Sequence, residues 1–471
     1  MKAKEKGNNY SQSNEQLSFL NSEDKEHNNK NNIRPIHYLG SKLRALEFIK
    51  DTIDELDPAK GRVCDLFAGS GTVSIFLAKE RAVTAVDIQE YSRVICSALL
   101  NEVELNEIYV KNLIKKVENS ICYKNLFYAL QLMIEYEKNC VNLAENGNLD
   151  PLCEFIENAS LVRVKFGYTQ GISDELLEVL KETTRRLSSI GYSDSGMAQL
   201  SILYGGIYFS YEQTLILDSI IDIINNEDRK YKDILMAALL STASDIVNTV
   251  GKQFAQPIKA YNKNGTPKKS ILKTVNRDRM SNALELYEKW IKVYINHEKV
   301  VGNNQVLKMD YSDALDLLPD DISVVYADPP YTRYHYSRYY HVLETISLHD
   351  NPNITRTIND GVENISRGVY REDRHQSPFS IKTKAKYAFE NMISKVYNLN
   401  ADLVISYSPF DESKKEAPRL MTIAEITELA SKYFANVEVK SLGNFFHSRL
   451  NITDKNSDIS YEAEILIICR R

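Results

Sequence analysis

The sequence lacks any long apolar run. No stretch of its 471 residues approaches the roughly 20 apolar residues that a membrane-spanning helix requires, and polar residues follow the start in place of an apolar signal segment. The six cysteines form no C-x-x-C pair and have no histidine at zinc spacing, which favours neither a metal site nor a disulfide framework. We therefore expect a cytoplasmic protein without membrane spans or metal, with reduced cysteines.

A large excess of one charge is also absent. The net charge of -6 argues against wholesale wrapping of nucleic acid but allows a local basic surface. The segment from Lys252 to Arg279 contains eight basic residues and one acidic residue, Asp278. Clustered cations of this kind are typical of phosphate contacts. The lysines predicted to make them are Lys252, Lys259, Lys263, Lys268, Lys269 and Lys273.

The hydrophobic pattern divides the chain into three parts. Residues 1–32 contain little to bury and are predicted to be a disordered polar tail. Strand and helix patterns alternate over residues 33–104 and again over residues 299–471, whereas residues 105–298 have mainly helical periodicity. These patterns predict a Rossmann-like α/β domain with a mixed sheet of about seven strands, interrupted by a large helical insertion.

A buried strand ending in two prolines is the most informative segment. The β-branched run before Asp328 is typical of a central parallel strand, and the strand must stop there because prolines donate no ladder hydrogen bond. The carboxyl ends of strands are where open α/β sheets bind ligands. The tetrapeptide Asp328-Pro329-Pro330-Tyr331 is therefore predicted to form a functional loop, although a proline turn by itself needs no function.

A glycine loop indicates the kind of ligand. Gly69 and Gly71 follow a predicted strand that ends near Asp65, and glycine lets a ligand approach the backbone closely. The loop has no Gly-Lys-Ser/Thr signature for a triphosphate, and Asp65 would repel phosphates but attract an ammonium. Asp87 ends the next strand and is placed to accept both hydroxyls of a ribose. S-adenosylmethionine, a cation with a ribose and no phosphate, fits better than ATP or NAD. A plain turn and a helix N-cap remain the alternatives for these residues.

The order of these segments resembles the Dam-type (D12 class, alpha-group) DNA adenine-N6 methyltransferases. The resemblance is carried by Tyr38-Leu39-Gly40-Ser41-Lys42, Asp65 to Thr72, Asp87, Asp310-Tyr311-Ser312-Asp313 and Val324 to Tyr331. It implies S-adenosyl-L-methionine as cofactor, double-stranded DNA as partner and a target-recognition role for the insertion. It also makes a separately acting restriction endonuclease a candidate partner of a protein that we expect to be a monomer or weak dimer.

The resemblance further implies roles for single residues. Tyr38 and Lys42 would contact the amino-acid end of the cofactor, Asp87 its ribose, and Tyr311 with its neighbours its adenine. Asp328 would lie between the cofactor and a target base flipped out of the duplex. The resulting cofactor site comprises Tyr38, Lys42, Asp65, Phe67, Gly69, Gly71, Asp87, Asp310, Tyr311 and Asp328, and the catalytic set comprises Asp328, Pro329, Pro330 and Tyr331.

Two further segments are candidates for DNA contact. Arg333 and Arg338 alternate with aromatic residues directly after the proline loop, a mixture that suits an extruded base and its phosphates. A helix start with aromatic packing explains the same pattern. Gly368 to His375 lies in a long polar segment and is interpreted as a DNA-clamping loop.

Other functions stay open on the sequence alone. An RNA adenine-N6 methyltransferase and a DNA cytosine-N4 methyltransferase are the alternatives among enzymes. A catalytically silent DNA-binding module is the alternative from another class, and the intact Asp328 and Tyr331 argue against it.

Overall fold

A seven-stranded sheet organises the part of the chain that the computed structural model describes, namely residues 33–330, 333, 336–359, 362–407, 420–442 and 464–471. The predicted tail, residues 1–32, lies outside these ranges. No helix within them is long and apolar enough to cross a membrane. The strands are β1 (Arg62–Asp65), β2 (Val83–Asp87), β3 (Gln305–Lys308), β4 (Ile322–Ala327), β5 (Arg356–Asn359), β6 (Val362–Ile365), β7 (Asp402–Tyr407), β8 (Asn436–Ser441) and β9 (Ile465–Arg470).

The strand order of the main sheet is β3-β2-β1-β4-β7-β9-β8. The first five strands in this order are parallel, and β9 is antiparallel to both of its neighbours. The direction of strand succession reverses between β1 and β4, which creates the crevice where such sheets bind ligands. The predicted Rossmann-like mixed sheet of a methyltransferase is thereby confirmed. The strands β5 and β6 form a separate antiparallel hairpin.

The central strands are buried because their sequences are apolar on both faces. Val63 and Cys64 of β1 and Val324 and Val325 of β4 have no exposed surface. β4 ends at Ala327, directly before Asp328, as the two prolines require. The stiff loop after β4 therefore begins at the carboxyl edge of the sheet.

Helices cover the sheet and build the insertion. Two short 3-10 segments, Val250–Lys252 and Pro378–Ser380, complete the regular structure of the described ranges. The α-helices are α1 (Leu46–Leu56), α2 (Thr72–Leu77), α3 (Glu90–Leu100), α4 (Glu107–Asn119), α5 (Ile121–Glu145), α6 (Asp150–Asn158), α7 (Leu161–Lys165), α8 (Asp174–Ser189), α9 (Gln199–Tyr204), α10 (Tyr211–Asn225), α11 (Arg229–Ile246), α12 (Ile271–Asp278), α13 (Ala283–Ile295), α14 (Tyr311–Leu317), α15 (Tyr336–Leu348), α16 (Lys382–Asn398) and α17 (Ile423–Ala430).

The helical insertion has one core of its own and shares another with the α/β part. The helices α5, α6 and α8 pack around their own apolar cluster, whereas α10, α11 and α13 share a cluster with α3 and α15. Arg93 of α3 also donates two hydrogen bonds to Asp233 of α11, at 2.9 and 2.8 Å. The domain boundaries at residues 105 and 298 stay a prediction, because helices on both sides of them pack into one core.

Candidate active site

A pocket opens at the carboxyl edge of the sheet, where β1, β2 and β4 end. Each of these strands contributes the carboxylate at its end to the pocket wall: Asp65, Asp87 and Asp328. The parallel register accounts for this convergence, since Asp65 pairs with Ala85 on one side and Tyr326 on the other. Other predicted residues that line the same pocket are Tyr38, Lys42, Phe67, Asp310, Tyr311, Pro329 and Pro330.

The two glycines shape the loop above the pocket. Gly69 and Gly71 have φ angles of 54° and 72°, a region that disfavours side chains. A Cβ atom on Gly69 would lie 2.6 Å from the hydroxyl oxygen of Tyr38. The Tyr38 ring is itself stacked on Tyr340 of α15, with 4.9 Å between ring centroids. The glycine loop and Tyr38 can therefore pack only if residue 69 has no side chain.

Asp65 presents an unsatisfied carboxylate oxygen. The residue is 1% exposed, and its Oδ2 accepts a hydrogen bond of 2.6 Å from the Ser74 hydroxyl. Its Oδ1 has no hydrogen-bond partner among the described residues. Burial raises the pKa of Asp65 to about 7, against the opposing hydrogen bond from Ser74. A buried acceptor of this kind fits the ammonium group of an amino-acid ligand such as S-adenosylmethionine.

Asp87 ties the glycine loop to the second strand. Its Oδ2 accepts a hydrogen bond from the Gly69 amide and its Oδ1 accepts one from the Gln89 amide, both at 2.9 Å. Burial raises the pKa of Asp87 from its ordinary value, and these amides partly oppose the rise. An ionised carboxylate offers about four lone-pair sites. Asp87 can therefore hold the loop and still accept hydrogen bonds from ribose hydroxyls.

An aromatic wall stands beside Asp310. Phe67 and Tyr311 lie 5.8 Å apart between ring centroids, and Phe379 meets Tyr311 edge-on at 5.0 Å. The Asp310 carboxylate accepts a hydrogen bond of 2.9 Å from the Ser312 amide and so caps α14. Phe67 and Tyr311 offer flat apolar surface to a planar ring, whereas Asp310 fixes the start of the helix that carries Tyr311.

Asp328 shares the ammonium of Lys42 with a second acid. The Lys42 Nζ lies 3.1 Å from Asp328 Oδ1 and 3.0 Å from Glu464 Oε1, although Lys42 is only 6% exposed. Ser406 of β7 also donates a hydrogen bond of 2.7 Å to Glu464. Burial raises the pKa of Asp328, Lys42 opposes the rise and the Glu464 charge adds to it. Lys42 thus favours the ionised form of Asp328 at the pocket wall.

Sequence reasoning missed Glu464 and a stretch of the long polar segment. Glu464 directly precedes the apolar strand β9, but Glu462 lies two residues earlier, so the sequence does not single out Glu464. His375 lies within the predicted clamping loop and faces the pocket, where burial lowers its pKa while Asp310 and Asp87 raise it. The sequence pattern does not mark the residues that follow His375 as part of a site. The additional lining residues from that segment are Gln376, Ser377, Pro378 and Ser380.

Among the described residues, the cations predicted to contact DNA do not line this pocket, although Arg338 directly follows the lining residue Ser337. Tyr331 is outside the described residues, Arg333 is exposed, and Arg338 of α15 donates a hydrogen bond of 2.9 Å to the Tyr370 hydroxyl. In the basic segment, the lysines with exposed or half-buried side chains are Lys259, Lys263, Lys268, Lys269 and Lys273.

Lys252 differs from the other lysines of the predicted phosphate surface in its internal hydrogen bonds. Its ammonium donates to Asp278 Oδ1 at 2.7 Å and to the carbonyls of Asp245 and Val247. A lysine held by three internal acceptors has little capacity left for a phosphate. Two of the other counted cations also have acidic partners within the chain, because the exposed Arg277 pairs with Asp278 and the buried Arg279 pairs with the buried Glu137.

Comparisons with known proteins agree with the expected resemblance. The family model of the D12 class N6 adenine-specific DNA methyltransferases matches residues 38–174. A curated relative, Modification methylase LlaI of Lactococcus lactis subsp. lactis, is 24% identical over 386 residues, which is 80% of this chain and 47% of the relative. The chain thus spans about half the length of that relative. The matched range contains Tyr38, Lys42, Asp65 and Asp87, and the resemblance to the D12 class is confirmed.

We predict that Gly69→Ala destabilises the protein more than Gly40→Ala. Both glycines have positive φ, so each alanine costs about 1 kcal/mol of backbone strain. A Cβ on Gly40 meets no atom within 4 Å, whereas that on Gly69 meets Tyr38. Crowding of this kind adds about 1–3 kcal/mol. Thermal melting followed by circular dichroism measures the difference, and equal melting temperatures for the two variants would contradict it.

Proposed function

We propose that this chain, which carries a D12 class N6 adenine-specific DNA methyltransferase domain, transfers a methyl group to the exocyclic amine of adenine in DNA. The observation that carries the proposal is the position of Asp328. Asp328 directly follows β4 and lines the same pocket as Asp65 and Asp87. Its carboxylate lies 3.1 Å from the ammonium of the buried Lys42. Methylation of an amino group requires a hydrogen-bond acceptor for that amine beside a site for a cationic cofactor.

The proposed cofactor is S-adenosyl-L-methionine, which supplies the electrophilic methyl group when bound. Asp65 would hold its ammonium through the unsatisfied Oδ1, and Asp87 would accept hydrogen bonds from its ribose. Phe67 and Tyr311 would contact its adenine ring. Tyr38 and Lys42 are proposed at the amino-acid end, and the Gly69 to Gly71 turn brings the backbone close to the ligand.

Asp328 and Pro329 prepare the amine of the target adenine. The nitrogen lone pair is delocalised into the ring until both N–H groups are held out of the ring plane. The Asp328 carboxylate would accept one N–H and the Pro329 carbonyl the other, which would leave the nitrogen lone pair free to accept the methyl group. Pro330 keeps the loop stiff, and such positioning supplies several kcal/mol. Breaking the bond between sulfur and the methyl group would release S-adenosylhomocysteine, and the methylated, cationic nitrogen would then lose one proton to water. Asp328 therefore orients the amine and need not be a strong base.

The target base must leave the duplex to reach this loop. A stacked adenine cannot enter a pocket at the edge of a sheet, and flipping it out costs a few kcal/mol that stacking and edge hydrogen bonds restore. Tyr331 is proposed as the stacking partner on the strength of the resemblance, since it lies outside the described residues.

The DNA surface is proposed on the helical insertion. It comprises the basic segment without Lys252, together with Arg333 after the proline loop. The insertion, residues 105–298, is proposed to read the target sequence. The name of LlaI, a modification methylase, supports a restriction-modification context. A separately acting restriction endonuclease and a monomeric or weakly dimeric state belong to the proposal through the resemblance alone. The lysines of the proposed surface are Lys259, Lys263, Lys268, Lys269 and Lys273.

Methyl transfer to DNA tests the proposed function directly. Duplex DNA is incubated with the protein and S-adenosylmethionine, then digested, and its nucleosides are identified by mass spectrometry. N6-methyladenine is the expected product, whereas N4-methylcytosine, or methylation of RNA alone, would contradict the proposal.

Asp328→Ala is expected to lower kcat by about 10²–10³-fold or more, because the oriented acceptor is lost. Asp320→Ala, an exposed acid before β4, is the matched control and should keep full activity. Cofactor binding and the melting temperature report that the fold is intact. An active Asp328→Ala protein would overturn the role of Asp328 while leaving the reaction assigned.

Lys42→Met is expected to shift the acidic limb of the pH profile upward. Asp328 accepts an N–H only when ionised, so kcat/KM falls as the pH drops through its raised pKa. Removing the Lys42 cation raises that pKa further, because Lys42 favours the ionised carboxylate. Lys42→Arg keeps the charge and should keep the limb near its original position. A downward or absent shift in Lys42→Met would contradict the assigned interaction.

Charge reversal of Lys268 and Lys269 is expected to weaken DNA binding and to reduce its salt dependence, since each phosphate contact contributes about 0.9 to the slope of log K against log salt. Reversal of Lys111 and Lys115 on α4, two exposed lysines outside the basic segment, is the control. Binding to labelled duplex DNA is measured by fluorescence anisotropy. Equal effects of the two charge reversals on DNA binding would contradict the proposed position of the DNA surface.

A further inference from the structure

Two arginine side chains share one aromatic ring near the pocket. The guanidinium carbons of Arg338 and Arg374 lie 4.6 and 5.1 Å from the centre of the Tyr370 ring. Tyr370 is 7% exposed, its hydroxyl donates a hydrogen bond to the Ala255 carbonyl, and its ring meets His341 at 4.9 Å. A ring fixed on two sides holds both cations in place.

These two cations have no carboxylate of their own. Arg371 pairs with Asp350 and Asp373, and Arg367 pairs with Glu157. Among the described residues, no ion pair involves Arg338 or Arg374. The four arginines face three acids, Glu157, Asp350 and Asp373, so this cluster has an excess of one positive charge.

Arg374 also has an unused donor. Its Nη1 is buried and has no hydrogen-bond partner among the described residues. Burial lowers the pKa of Arg374 from its ordinary value, and the neighbouring Arg338 charge lowers it further. A buried N–H donor without a partner costs free energy, and an anion bound between the two guanidinium groups would remove that cost.

The position of the pair indicates which anion binds. Arg338 follows Ser337 in the chain and Arg374 precedes His375, and both Ser337 and His375 line the pocket. When the base of a nucleotide enters that pocket, its phosphates stay outside the pocket. They would then lie near the residues adjacent to the lining residues, namely Arg338 and Arg374. Guanidinium groups match the geometry of phosphate oxygens better than any other side chain.

We infer that Arg338 and Arg374, held against Tyr370, bind a backbone phosphate of the DNA strand that carries the target adenine. The inference rests on the proposed function and extends it, because the expectation of a DNA-clamping loop at Gly368 to His375 named neither a ligand group nor the residues that bind it. The site fixes the strand beside the flipped nucleotide and carries no sequence information itself.

The salt dependence of DNA binding tests this site. A labelled duplex of mixed sequence is titrated with the wild type, Arg338→Gln, Arg374→Gln and the double variant at several salt concentrations. Backbone contacts are independent of sequence, so no recognition site is needed. The slope of log K against log salt is expected to fall by about 0.9 for each arginine removed. Arg185→Gln, an exposed arginine on α8, should leave the slope unchanged.

Charge-conserving and nucleic-acid controls sharpen the result. Arg374→Lys keeps the charge and should keep the slope. Because Arg338 is exposed, Arg338→Gln allows the slope to be measured even if a change at Arg374 unfolds the protein. An unchanged slope in the variants, with cofactor binding intact, overturns the site. A response with duplex RNA but not with DNA overturns its assignment to DNA.

The test separates this inference from the proposed reaction. Binding is measured without methyl transfer, so a protein that transfers no methyl group to any substrate can still show the loss of slope. In that outcome the reaction fails and the phosphate site stands. Conversely, active protein whose variants keep the wild-type slope leaves the reaction in place and overturns the phosphate site.

Discussion

The crowding of three carboxylates at one edge of the sheet is the constraint on which the rest of the site depends. Asp65 and Asp87 end their strands and Asp328 directly follows the adjacent parallel strand β4, so the register that forms the sheet also brings them together. Burial raises the pKa of each, because charged groups lose hydration in a closed pocket. Nearby donors then decide how each acid behaves.

The three acids differ because their neighbours differ. Asp87 is tied to backbone amides and holds the glycine loop, whereas Asp65 keeps one oxygen without a partner in the described part of the chain. Asp328 faces the Lys42 ammonium, which it shares with Glu464. One residue type thus supplies a loop anchor, an acceptor for a cation and an acceptor for an amine.

Much of this arrangement was predictable from the sequence, because local chemistry dictates it. The prolines after Asp328 end a strand, and the glycines after Asp65 begin a helix, so the edge of the sheet could be located before the structure was known. Glu464 could not be predicted, since it reaches Lys42 only because β9 inserts antiparallel beside β7. The structural role of Lys252 likewise depends on Asp278, whose contact arises from tertiary packing.

The electrostatic balance of the pocket is tested most directly by its choice of ligand. Isothermal titration calorimetry compares the binding of S-adenosylmethionine, a cation without phosphates, with that of ATP, a polyanion. The titrations are done at a pH above the pKa of about 7 that burial gives Asp65. Saturable binding of S-adenosylmethionine at one site and no binding of ATP are expected. Binding of ATP without binding of S-adenosylmethionine would contradict the proposed role of the three carboxylates.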